Sequence, residues 1–191
     1  MAQDPGGLVA AAIGMRRDLT WLLATYAVRP GLQGRGVARP LLEAAATHGA
    51  GCLRAMVTAS DDPLALRRYR LAGFTLHPAM VLRGRVPRAV LPIVEHVGRA
   101  RPTGSGYAYV APGGGPHLLA ATNRRTATDL LWETLADSDP EEEVALRHVT
   151  VANEWAVDVG MAARMLLASE GFLGLRGMQP PTPYVHSGSF L

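Results

Sequence analysis

The chain has 191 residues, 48% of them hydrophobic, with a formal net charge of +3, a balance that fits a packed globular core and excludes general disorder. All 19 basic residues are arginine, so Schiff-base chemistry on a lysine is excluded. Cys52 is the only cysteine, which excludes an internal disulfide and makes a reducing cytoplasm the expected compartment.

Residues 8–16 and 19–28 read as two strands, and the polar break Arg16-Arg17-Asp18 is short enough for a hairpin. The run 8–13 is too short to span a bilayer, and its charges follow it rather than precede it, so no membrane partner is expected. The second strand feeds Arg29-Pro30-Gly31-Leu32-Gln33-Gly34-Arg35-Gly36-Val37-Ala38, after which Leu41-Leu42-Glu43-Ala44-Ala45-Ala46 predicts a helix. Free N–H groups at such a helix start attract phosphate without a lysine. Pro40 fits only if that helix starts near residue 36 or 37.

Residues 52–58 return as a strand, completing a β-α-β unit with parallel strands. Asp62-Pro63 predicts a capped helix over 64–72 with Gly73 at its left-handed end, and 74–82 a further strand. A stretch rich in proline and glycine, 84–106, suggests a boundary near residue 100, giving domains 1–99 and 100–191. In the second, strands are expected at 107–110 and 117–121, a helix at 126–136, a strand at 143–151 and a helix capped by Asn153. Gly171-Phe172 echoes Gly73-Phe74, and each pair is expected to close a helix and exit through a strand, as in an internal duplication.

These residues carry a resemblance. Gln33, Gly36 and Ala38 match the Gln/Arg-x-x-Gly-x-Gly/Ala signature of the GNAT acetyltransferase superfamily. Tyr69, Gly73 and Phe74, with Ala65 one turn earlier, match its Tyr-x-x-x-Gly-Phe segment. A Rossmann loop would need its glycines in the opposite order, and no Walker lysine exists. The likeness is clear over 8–84. It implies an α/β (α+β) fold with mixed central sheets flanked by helices, in tandem, each copy shortened at its start. The second copy resembles a degenerate one: 121–126 has no glycine turn, and Leu167 stands where Tyr69 would be. Its Trp132 and Trp155, with Leu130, Leu131 and Val159, read as packed core.

The resemblance implies acetyl transfer from acetyl-CoA, as cosubstrate, to a small amine or a peptide amine. Its pyrophosphate would sit on the N–H groups of Gly34, Arg35, Gly36, Val37 and Ala38 beside Gln33, with Arg35 and Arg39 adding charge-assisted bonds. Tyr26, Ala27 and Val28 would pair with the pantetheine arm as an added strand would, and Tyr69 would protonate the departing thiolate. The general base is unassigned. The carboxylates of the first half are Asp4, Asp18, Glu43, Asp61, Asp62 and Glu95; Asp62 reads as a helix cap and Glu43 as a solvated helix residue. A water chain, or the terminal carboxylate of a stiff tail (180–191) folding back, are the alternatives, beside surface packing of that tail.

The alternative function is a noncatalytic CoA-binding or structural pseudoenzyme that keeps the fold for homodimerisation or regulation. A hydrolase lacks the G-x-S-x-G elbow. Nucleic acid is not an expected partner, because the arginines are scattered and aromatics are few. No metal is expected, since the six histidines show no i, i+4 pairing and no cysteine partner.

Overall fold

The computed structural model describes residues 1–92 and 105–188. Its contacts divide the chain into two compact units, Met1–Leu76 with Leu173–Gln179 and His77–Phe172 with Pro180–Ser187. The division falls between Leu76 and His77, earlier in the chain than residue 99, and residues 99 and 100 lie outside the described ones.

Unit 1 contains β1 (Ala2–Asp4), β2 (Gly7–Arg17), β3 (Thr20–Val28), α1 (Ala38–Thr47), β4 (Arg54–Ala59) and α2 (Pro63–Leu71). Its strands follow the order β1-β2-β3-β4, with β2 antiparallel to both neighbours and β3 parallel to β4. The β2-β3 hairpin turns at Asp18, whose φ is 50°, so the expected break is a true two-residue turn. β4 is parallel to β3 because α1 carries the chain back to the starting edge. β1 has three residues, too short for any periodicity to announce it.

Local chemistry sets the helix ends. α1 begins at Ala38, which puts Pro40 in the first turn, where its missing N–H forfeits no helical bond. In α2 the Asp62 carboxylate accepts the Leu64 N–H at 2.9 Å and Pro63 opens the helix. Gly73, at φ 85°, ends it. At the start of β3, Trp21 is 1% exposed. A Cβ on Gly14 or Gly49 would come within 2.7 and 2.6 Å of its ring, so both must be glycine, and truncating Trp21 to alanine would cost ~3–5 kcal/mol. This wedge fixes the hairpin against the turn that follows α1 and leaves the far end of β3 to build a site.

Unit 2 takes most of β5 (Thr75–Gly84), then β6 (Gly106–Val110), β7 (Pro116–Ala121), α3 (Arg124–Ala136), β8 (Val144–Thr150), α4 (Glu154–Ala162), the first part of β9 (Leu166–Arg176) and β10 (Tyr184–Val185). β5 pairs antiparallel with β8, and β10-β7-β6 form a separate antiparallel sheet. Asn123 caps α3 by accepting the Thr126 N–H at 2.9 Å. Leu130, Leu131, Trp155 and Val159 are buried in one cluster with Trp132 packed against it, as the sequence suggested.

Three expectations fail here. Gly171 and Phe172 lie inside β9 and close no helix. α4 ends at Ala162, and Arg164, at φ 64°, makes the reversal that glycine makes after α2. The Gly-Phe echo is therefore no sign of duplication, and Leu167, in the same strand, is no counterpart of Tyr69. Asn153 does not cap α4 with its side chain. Its amide donates to the Pro181 carbonyl at 3.0 Å and its Oδ1 accepts from Tyr184 N–H at 2.9 Å and Trp155 Nε1–H at 3.1 Å, which anchors the tail. Nor is that tail a surface strap: Val185, His186 and Ser187 are buried, while residues 189–191, with the terminal carboxylate, lie outside the described ones.

Behind the tail sits a histidine cluster. His148, at φ 57°, stacks on His186 at 5.0 Å, and Ser187 Oγ lies 3.1 Å from His117 Nε2. Glu170 accepts the His148 N–H at 3.0 Å and pairs with Arg147 and Arg83. Burial lowers both imidazole pKa values; for His186, with the neighbouring His148 adding to the effect, the value falls to about 3. Among the described residues no group of histidines, cysteines and carboxylates is placed to hold a metal ion, and no helix is long and apolar enough to cross a membrane.

Candidate functional site

The free end of β3 follows from its register. The parallel pairing with β4 stops at Leu23↔Val57, whereas the antiparallel pairing with β2 continues to Ala10↔Val28. Past Leu23, then, β3 keeps one neighbour. Arg29 N–H donates to Val9 carbonyl at 2.8 Å, so that facing pair is hydrogen-bonded, and the two-residue alternation makes Ala27/Ala11 and Thr25/Ile13 the same. The backbone groups of Tyr26 and Val28 consequently face the open edge, as an added strand requires. Ala27 turns its backbone to β2, so it lines the edge without offering hydrogen bonds.

A turn closes one end of this edge. Gly31, Gly34 and Gly36 take φ values of 81°, 78° and 83°, a region costly for any other residue, although a Cβ at each would meet nothing within 4 Å. Backbone conformation, not crowding, selects glycine. The Gln33 amide reaches back to the Val28 carbonyl at 3.5 Å, and the Tyr26 hydroxyl donates to the Ala38 carbonyl at 2.5 Å. No side chain caps α1, whose N-cap is Val37, and no acidic residue lies in its first turn. Its leading N–H groups keep their partial positive charge for a ligand.

Together these elements enclose a cavity of about 430 Å³. Tyr26, Ala27, Val28, Gln33, Gly34, Gly36, Ala38 and Tyr69 all line it; Arg35, Val37 and Arg39 do not. Val37 packs with Val9, Ala10 and Leu41. Arg39 pairs with Glu43 at 2.7 Å on an exposed helical face and borders a second groove with Arg68 and Arg176. The cationic groups of the cavity are instead Arg67 and Arg68, which the sequence reading passed over. Ala65, Arg68 and Tyr69 stand at i, i+3, i+4 on α2, and that shared face was the available signal.

Tyr69 is 4% exposed, with its ring 5.9 Å from Tyr26 and 6.0 Å from Phe74. Burial raises its phenol well above the usual range, and Tyr26 and Asp62 raise it further, so the hydroxyl keeps its proton at neutral pH. Burial also raises Tyr26, with Arg68 opposing. From β4 and the start of α2 come Thr58, Ser60 and Asp62. Among the described residues Asp62 is the one carboxylate lining the cavity, and it is occupied as the α2 cap.

Comparison with known proteins adds two findings. The profile of the Acetyltransferase (GNAT) family matches residues 1–74. The crystal structure of a provisionally assigned acetyltransferase from Pyrococcus horikoshii superposes with a TM-score of 0.68 at 12% sequence identity, covering 95% of this chain and 75% of that one. That likeness establishes the fold alone. No curated protein matches the sequence.

Proposed function

We propose that unit 1 binds acetyl-CoA in this cleft and transfers the acetyl group to a small amine or a peptide amine. The observation that carries it is the unpaired edge of β3 opening beside an uncapped, glycine-built helix start. The GNAT profile over residues 1–74 supports the same chemistry.

The N–H groups of Gly34, Gly36 and Ala38, which line the cavity, hold the pyrophosphate, with Arg67 and Arg68 supplying charge. Tyr26 and Val28 give backbone hydrogen bonds to the pantetheine amides, one ligand strand replacing the missing β4 partner. The amine nitrogen attacks the thioester carbonyl carbon; a C–N bond forms and the C–S bond breaks. Tyr69 donates to the departing sulfur, and the proton shed by the nitrogen returns to the phenol through water, leaving an N-acetyl amine and free CoA thiol. A phenol raised by burial is more basic than a thiol, so Tyr69 acts first as a hydrogen-bond donor and completes its transfer only as the nitrogen's proton arrives.

The commitment of Asp62 to the α2 cap favours a second reading, a CoA-binding protein without turnover. Titration calorimetry with acetyl-CoA on wild type, Gly36→Ala and Gly36→Glu, with an acetyl-transfer assay over an amine panel, separates the two. Tight binding, a loss of at least ~100-fold with Gly36→Glu and product formation support transfer. Tight binding with no product on any amine leaves the second reading, and equal affinity in all three proteins would sink the site.

A further inference from the structure

We propose that the Thr58 hydroxyl donates a hydrogen bond to the carbonyl oxygen of the bound acyl thioester. This role rests on the acetyl-CoA reading above and deepens it by naming the donor that meets the developing oxyanion.

Thr58 is the first β4 residue past the last pair with β3, Leu23↔Val57, so it stands where the two strands part. It lines the cleft, and its hydroxyl oxygen is buried with no hydrogen-bond partner. The neighbouring β4 residues Ala55, Met56, Val57 and Ala59 are apolar and buried. A valine of the same shape would complete that run without stranding a polar group, and a stranded buried hydroxyl is costly. Nearby, Ser60 Oγ accepts the Asp62 N–H at 3.4 Å and Asp62 accepts the Leu64 N–H at 2.9 Å, whereas the buried Thr58 hydroxyl has no partner at all. Thr58 is left for a ligand.

The reach of the ligand agrees. From Val28, beside the turn, to Ala24, beside the point of separation, β3 runs four residues, roughly 13 Å. A phosphate seated on the turn with its arm laid along that edge brings the far end of the arm, the thioester, to Thr58. As the amine attacks, the carbonyl oxygen gains negative charge and accepts more strongly from the hydroxyl, which keeps its proton throughout. The bond weakens again when the C–S bond breaks and the carbonyl re-forms. A donor of this kind contributes because it strengthens only as charge develops.

The test compares Thr58→Val and Thr58→Ser with wild type, using acetyl-CoA, CoA and carbonyl-labelled acetyl-CoA. Thr58→Val is expected to fold normally, bind CoA within ~2-fold of wild type and lose ~100-fold in kcat/KM, with Thr58→Ser recovering most of it. The infrared stretch of the labelled carbonyl should lie lower on wild type than on Thr58→Val, a readout that needs no acceptor. Equal carbonyl stretches overturn the role, and so does a CoA affinity lost as completely as turnover, which marks a structural residue. Failure of wild type to bind either CoA species overturns the cleft reading and this role together, whereas normal wild-type binding with an unaffected valine variant overturns the role alone.

Discussion

Unit 1 and unit 2 handle polar groups in opposite ways. In unit 1 the β3 edge has no strand partner past Leu23, and the start of α1 has no side-chain cap; the Thr58 hydroxyl has no hydrogen-bond partner, and all three border a cavity of about 430 Å³. In unit 2 Asn153 spends its amide on Thr150, Pro181, Trp155 and Tyr184, and Glu170 serves His148, Arg147 and Arg83. Unit 2 closes most of these bonds on itself, though the buried His186 Nε2 has no hydrogen-bond partner, whereas the cleft of unit 1 keeps a strand edge and a helix start open. Titratable side chains alone would have pointed to the histidine cluster; unfilled backbone bonds point to the cleft.

Four experiments break or sharpen that contrast. Tyr69→Phe is expected to lower kcat by ~10²-fold with little change in KM, read by steady-state kinetics; a fall in CoA affinity instead would make the tyrosine structural. The second concerns unit 2. At pH 7 the His186 imidazole is neutral in both folded and unfolded chains. Between the unfolded value near 6.5 and the folded value of about 3 only the unfolded chain takes up a proton. Stability therefore falls as pH falls, by ~1.4 kcal/mol per unit and roughly 2 kcal/mol at pH 5. Hydrogen exchange in β7 and β8 should show this loss, and a flat profile would mean that the buried ring admits a proton after all. Third, Arg68→Ala should weaken acetyl-CoA binding ~10-fold, measured by calorimetry at low salt. Last, Arg39→Ala should change it by only ~2-fold, because the exposed Arg39-Glu43 pair stands outside the cleft; a larger loss would move the pyrophosphate toward the second groove.

Features of the site that depend on neighbours in sequence were legible. Gly31, Gly34 and Gly36 announce a glycine turn between strand and helix, and Asp62-Pro63 announces a helix start; both appear where the sequence placed them, with the three glycines in left-handed backbone. Tyr69 joins the turn because α2 follows β4 at a fixed interval. Arg68 could have been read from the α2 face it shares with Tyr69, whereas Thr58 could not, since its relevance depends on where β3 and β4 part, which no local pattern records. In unit 2 the sequence misled where chemistry was atypical. Arg164 reverses the chain without glycine, so α4 seemed to need the Gly171-Phe172 stop that β9 in fact runs through. The β10 strand went unread because two residues among prolines carry no alternation.

The parting of β3 from β4 has one more consequence, for handling the protein. A strand edge kept open for a ligand will equally accept another strand, and nothing in its hydrogen-bond pattern distinguishes the two. If the cleft takes acetyl-CoA as proposed, preparations without it leave that edge unfilled inside the cavity, so aggregation should respond to whether the cleft is filled.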